Sequence, residues 1–437
     1  MTLASYLQDF EASAVNGGSR PDWLMPIKRG AIDRFEALGF PDRDNEDWKF
    51  TSVAPIARSK FGRIAAAATL PTEADLGPHL IGPSEWSRVV FVNGRFVEAL
   101  STMTGLPGGV TIQTLADAME EKPEYVTQHL TQSASVERDG FTALNTAFIT
   151  DGVVLHVEPN TVVEQPIHVL YLTDGTVGEG ATHPRTLVVL DHHAQASLIE
   201  SYVALDDGVY FTNAVTEVSL AAGARLDHYK IQRESEQAYH VGTLEARQER
   251  DSHFESLSFA FGGAVSRTNV YTVLDGEGSH VTMNGLYVVH GDQHVDHQTR
   301  IEHSQPDCTS HEVYKGILDD RAHGVFNGKV YVHPIAQKTD GKQTNQNLLM
   351  SPTAKIDTKP QLEIYADDVR CTHGATVGQL DDQAVFYCRS RGLAPDQAKT
   401  LLTYAFAADV LEQIPSRPVA QYLERLVMER FLGTPES

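Results

Sequence analysis

The stretch AQASLIESYVALDDGVYFTNAVTEVSLAAGARLDHYKI, from Ala194 to Ile231, decides how the chain is read. It holds three β-rich runs, Ala196–Val203, Ala214–Leu220 and Leu226–Ile231, with no helical period between them. Each run begins after small or polar residues, and two corners, Ala194-Gln195-Ala196 and Gly223-Ala224-Arg225, look alike. Working outward, similar corners recur at Asp251-Ser252-His253, Gly278-Ser279-His280, Asp307-Cys308-Thr309 and Ala336-Gln337-Lys338. Their starts are 29, 28, 27, 29 and 29 residues apart, and Val369-Arg370-Cys371 follows 33 later. A period near 29 in an all-β region without helices points to stacked coils, a parallel β-helix. A jelly roll or sandwich also has many short strands and is the alternative.

On the amino-terminal side the texture differs. Ile32, Phe35 and Leu38 mark a helical face that Gly39-Phe40-Pro41 ends. Asn45–Thr51 carries Trp48 and reads as packing, and Ala65–Pro83 as a loose connection. Arg88–Val97 reads as a hairpin around Asn93-Gly94, and Ile112–Leu130 as helical. On the carboxyl side, Pro395-Asp396 starts a helix whose stripe is Leu401, Leu402, Ala405, Phe406 and Val410. Val419, Tyr422, Leu423, Leu426, Val427 and Phe431 form a second stripe. These helices either cover an end of the stack or dock into a partner.

Composition narrows the function. The 437 residues are 41% hydrophobic and 21% charged, with a formal charge of −23. Such an acidic chain repels phosphate backbones, so nucleic acid is not an expected partner. Met1–Gly18 lacks the basic and apolar segments of a signal peptide, and no run is long enough to span a membrane. Three cysteines argue against a disulfide framework and for a reducing, cytoplasmic setting.

The candidate chemistry lies at Cys371-Thr372-His373. On a strand over Val369–Ala375 the thiol and imidazole point the same way. They would supply two ligands to iron or zinc but cannot fill a four-coordinate shell alone, so other donors would come from another segment, a partner or a cargo. Two ordinary residues of a stacked strand fit the same spacing. Cys308 and Cys371 would stand near one column two coils apart, about 10 Å at the usual strand spacing, too far to share an ion. Cys388 is a neighbour across a turn.

Other motifs carry less. Gly324–Val330 imitates a P-loop but is one residue short and has Val330 where Ser or Thr is needed. His290, His294, His297 and His303 lack the H-x-H pair of a cupin-like site; a strand there puts His297, Thr299, Ile301 and His303 on one face. Asp319-Asp320, Asp367-Asp368 and Asp381-Asp382 are adjacent acids, which a strand points to opposite faces; turns are their simpler role. No G-x-S-x-G occurs.

Several longer stretches carry a resemblance. GVFNGKVYV (Gly324–Val332), AQKTDGKQTNQNLLMS (Ala336–Ser351), TKPQLEIYADDVRCTHGATVG (Thr358–Gly378) and FYCRSRGL (Phe386–Leu393) closely resemble the SufB/SufD family of iron–sulfur cluster assembly scaffolds. Gly39–Thr51, Val90–Phe96 and Phe141–Val153 do so too. The match is nearer the SufD branch, because SufB members are usually longer and carry cysteines in their amino-terminal half, whereas none precedes Cys308 here. Two departures are visible: Cys388 where the family commonly has Leu, and Gly341 where Ala is frequent.

The resemblance implies a right-handed parallel β-helix flanked by N-terminal and C-terminal helical regions. Here these would be a helical or mixed region over 1–140, the β-helix core over 141–392 and a SufC-docking helical region over 393–437. It implies a non-catalytic subunit that pairs with SufB through the β-helix cores and binds the ATPase SufC through the carboxy-terminal helices. An isolated chain could pair with itself. The family's Cys-x-His-Gly motif falls on Cys371 and His373, which would hold iron or a nascent iron–sulfur cluster transiently and share it with SufB; no permanent cofactor is implied. The rival readings are a β-helix carbohydrate-active enzyme and a metal-free, self-pairing solenoid.

Overall fold

The computed structural model describes residues 3–16, 21–59 and 61–432. Parts of the Met1–Gly18 stretch, the end of the 393–437 region and the Phe431 side chain lie outside the described residues. The chain is mainly β, a parallel solenoid of about eight turns with helices on both sides in sequence.

Two sheets form the walls. In one, parallel strands run in the order Arg88–Val92, Ile167–Thr173, Gln195–Ala204, Arg225–Arg233, His253–Ala260, His280–Val289, Thr309–Leu318, Asp340–Leu349, Arg370–Gly378. The facing sheet ends in His294–His303, His323–Val332 and Lys355–Ile364. Buried apolar residues of both walls, among them Leu198, Val218, Leu226, Val270, Val281 and Val330, meet in the bore as one core. Alternation does this: every second residue of each strand faces inward, and each coil covers the apolar face of the last.

The repeat seen in the sequence is this coil. Arg225, His253, His280 and Thr309, the third residues of four corners, are consecutive register partners. The outer corners slip: Gln195, not Ala196, pairs with Arg225, and Asp340, not Lys338, pairs with Thr309. At the latter the corner is longer, and Lys338 takes a positive φ of 65° to turn it.

The amino end of the stack is covered. Arg88–Val92 and Arg95–Phe96 form the expected hairpin; Asn93 and Gly94 both have positive φ, as a tight hairpin turn requires. This hairpin joins the solenoid wall beside Ile167–Thr173, so the amino-terminal region supplies part of the stack. Ile112–Leu130 is not helical throughout. Val110–Thr114 pairs antiparallel with Gly152–Val157, Thr114 accepts from the Asp117 amide to start Leu115–Glu121, and Pro123 opens a second helix to His129.

The helices lie on the flanks and not over the far end. Leu3–Asn16, Leu24–Leu38 and Gly140–Phe148 pack through Tyr6, Phe35 and Phe141 against Phe211 and Val241. Pro395–Leu411 and Arg417–Leu432 lay Val410, Leu411, Val419 and Leu423 on Ile231, Phe259, Leu286 and Ile317 of the other wall. Lys315, buried in that wall, donates to Phe406 O (3.0 Å) and pairs with Asp409 (2.5 Å). The carboxyl end of the stack is bare: nearly every residue of Arg370–Gly378 is exposed, and Lys355–Ile364 is only half-buried.

Candidate functional site

The last coil carries the thiol–imidazole pair. Register places Cys371 beside Gly341 and, one coil deeper, Ser310. Cys371 packs against the bore, so this column faces inward. His373, two residues on, shares that face and stands beside Gln343 and, deeper, Glu312. Cys371 is half-buried and His373 exposed, because no further coil covers them. Burial raises the Cys371 thiol above its ordinary range, opposed by the Gly341 backbone. Among the described residues, no three His, Cys, Asp or Glu side chains converge as a metal-binding group. The pair therefore presents two donors at an open end, without a third from the described chain.

The other thiols are placed apart. Cys308 is fully buried at a corner, where its Sγ donates to Gly276 O and lies 3.3 Å from Ser279 Oγ. It is two coils below Cys371 but also two positions away in register, since Ser310 and not Cys308 lies in the Cys371 column. Cys388 is half-buried on the helix Asp382–Ser390. That helix turns Phe386 (71% exposed) and Tyr387 (59%) outward, and Val377 of the last strand is 49% exposed.

The histidines do not form one site. His297 and His303 face the bore, where burial lowers them to about 3 and about 4. His294 turns outward to Thr51 (2.9 Å), and His290 sits at a corner beside Glu236 (3.2 Å). The adjacent acids serve turns, ion pairs and a cap: Asp319 accepts from the Asp320 amide, Asp368 pairs with Lys338, and Asp381 caps Asp382–Ser390. Gly324–Val330 lies within the strand His323–Val332 and makes no phosphate loop.

The bore holds polar chemistry that sequence reading missed. Glu200 binds His228 (2.8 Å), Glu234 binds His240 (2.7 Å), and Lys230 donates to Thr268 (2.9 Å), all buried. Desolvation lowers Lys230 to about 8. Nearer the open end, Gln343 Nε2 donates to Glu312 Oε2 at 2.7 Å, and burial pushes the Glu312 carboxyl up to about 7. The signal was available in principle: Glu312, Gln343 and His373 follow one another by 31 and 30 residues, one coil each.

The chain is similar to known proteins over most of its length. Residues 171–406 match the model described as SUF system FeS cluster assembly, SufBD core domain, and residues 5–169 match the SufBD protein N-terminal region. The iron–sulfur cluster assembly protein SufD of Escherichia coli is 37% identical, covering 93% of this chain and 93% of its own. An iron–sulfur cluster assembly SufBD family protein of Synechocystis sp. is 34% identical, covering 94% and 91%. SufD of Bacillus subtilis is 26% identical, covering 98% and 99%.

Proposed function

This chain belongs to the SufBD family of iron–sulfur cluster assembly proteins, and from that premise we propose that it is a non-catalytic scaffold subunit that completes its site by pairing. The carrying observation is the bare last coil with its incomplete donor pair. Two terminal strands, Arg370–Gly378 and Lys355–Ile364, each leave one row of backbone N–H and C=O groups without a neighbouring strand. Pro360 sits on the second, where a missing N–H is tolerated. A SufB-type β-helix that continued these sheets would satisfy the rows and bring further ligands beside Cys371 and His373. Without it, a second copy of the chain would pair in its place.

Iron or a forming cluster is the cargo. Neutral His373 and the Cys371 thiolate suit it, since iron accepts mixed imidazole and thiolate ligation. Loss of the thiol proton, which burial disfavours, would accompany loading. The SufC-type ATPase would dock on the carboxy-terminal helical region, where Leu401 is exposed, together with Phe386 and Tyr387, exposed on the helix Asp382–Ser390 that precedes it. Three free thiols agree with a reducing, cytoplasmic setting.

The test is co-expression with SufB and SufC, followed by cluster reconstitution. His373→Ala should leave the three-protein complex intact and abolish cluster formation, and normal assembly by that variant removes His373 from the mechanism. Phe386→Ser with Leu401→Ser should weaken SufC retention while SufB is kept; unchanged SufC retention refutes the docking assignment.

A further inference from the structure

The column Glu312–Gln343–His373 runs from the buried bore to the open coil, one residue per coil on one inward face. Its two inner members are a built pair. Glu312 and Gln343 are 0% and 2% exposed, and the Gln343 amide nitrogen is committed to Glu312. Across the bore that nitrogen also occupies the space a side chain at residue 328 would take: a Cβ on Gly328 would stand 2.2 Å from it. The nitrogen is thus held between Glu312 and Gly328, and the amide's other end is free. Gln343 Oε1 is buried and accepts no hydrogen bond among the described residues. A buried carbonyl without a donor is costly, and such an atom in a native protein calls for an explanation, a functional role or a bound species among them. Its neighbour toward the open end is His373, about 4.8 Å away strand to strand.

We propose that Gln343 is a positioning residue for His373: its Oε1 accepts one imidazole N–H, so that the other ring nitrogen presents its lone pair to the cargo. Glu312 orients Gln343 by accepting from its Nε2, which leaves the carbonyl as the only acceptor end. The chain is the outer-shell arrangement that metal-binding histidines commonly need, with an amide between the carboxylate and the ring. It rests on the reading of His373 as a ligand, and the tests separate the two.

Cobalt(II) alone, as an optical probe, is titrated into the full-length chain. Gln343→Met, close to Gln in size, should weaken cobalt binding by about 10- to 100-fold, as loss of an outer-shell partner does elsewhere. His373→Ala should remove the imidazole contribution altogether. Equal affinities for Gln343→Met and the parent, with His373→Ala impaired, overturn the inference and spare the ligand reading. An unimpaired His373→Ala overturns both. Should Gln343→Met not fold, the unmodified chain still decides. With histidine labelled in its ring nitrogens, His373 should show one fixed tautomer; tautomer-averaged signals like those of free imidazole overturn the proposal.

Discussion

Gly341 lies between Ser310 and Cys371 in one inward column, and a Cβ built on it would stand 3.4 Å from Cys371 Sγ and 3.3 Å from Ser310 Oγ. One methyl group just fits there, and anything larger displaces the thiol.

Gly341→Ala should therefore stay within about 1 kcal/mol of the parent, the lost freedom of the unfolded chain offsetting the tight contact. Gly341→Leu should cost about 1–3 kcal/mol by overpacking and drive Cys371 outward. Chemical denaturation reads the first effect and the alkylation rate of Cys371 the second. Equal alkylation rates in the Leu variant and the parent would show that Cys371 does not depend on this column.

Glu312 sets a pH dependence of stability. Its carboxyl is raised from an ordinary value of 4.5 to about 7 by burial. Between those values the folded chain binds a proton that the unfolded chain has released. Its contribution is complete below pH 4.5 and is lost as pH rises through about 7. Comparing the parent with Glu312→Gln cancels the other carboxylates. The stability difference, parent minus variant, should fall by about 3 kcal/mol between pH 4.5 and pH 8, at about 1.4 kcal/mol per pKa unit. A difference independent of pH would mean that Glu312 is not held neutral in the bore.

These two predictions also mark what could be read before the structure. The period of 27 to 29 was visible because corner residues must be small or polar at every turn of a stack. Register followed at Arg225, His253, His280 and Thr309, where coil length is regular. It failed by two residues at Lys338, where the corner is longer. The pairing of Cys371 with His373 on one face followed from alternation alone. The Glu312–Gln343 bond and the buried Glu200–His228 pair did not, because partners 28 to 31 residues apart meet only if every intervening corner is counted correctly. The seat of the terminal helices was also hidden. An amphipathic stripe says nothing of which wall covers it, and the first stripe lies partly off the covered face: Leu401 and Ala405 are exposed, whereas Thr403, Ala407, Val410 and Leu411 are buried.

Lys315 ties the helix Pro395–Leu411 to its wall. Its ammonium donates to Phe406 O, pairs with Asp409 and sits 4.5 Å from the Phe406 ring centroid, while its stem is buried. Lys315→Met keeps the stem and removes the three polar contacts. Loss of hydrogen bonds made by a charged group costs about 1.5–3 kcal/mol. The loss should appear as faster proteolysis between Arg391 and Ser416, with the β-sheet signal unchanged. Parental proteolysis rates would show that the apolar face alone holds the helix.

Arg267 fastens the segment Asn45–Thr51 to the opposite wall, and this explains why Trp48 lies buried there. Its guanidinium stacks 3.6 Å from the Trp48 ring and donates to Asp47 O (2.6 Å), Asp296 (2.7 Å) and Asn269 (2.9 Å), at 1% exposure. Asp296 keeps Thr51 and Gln298 as further donors. Arg267→Met leaves the Asp296 charge buried without a cation and should cost about 3–5 kcal/mol. Arg267→Lys should recover little, because an ammonium cannot both stack and serve three acceptors in a plane. Adding Asp296→Asn to Arg267→Met should restore part of the loss, since the charge left behind is then gone. Urea unfolding followed by Trp fluorescence measures each step. If the double variant is as unstable as Arg267→Met alone, the segment is held by the Trp48 stacking and not by the buried ion pair.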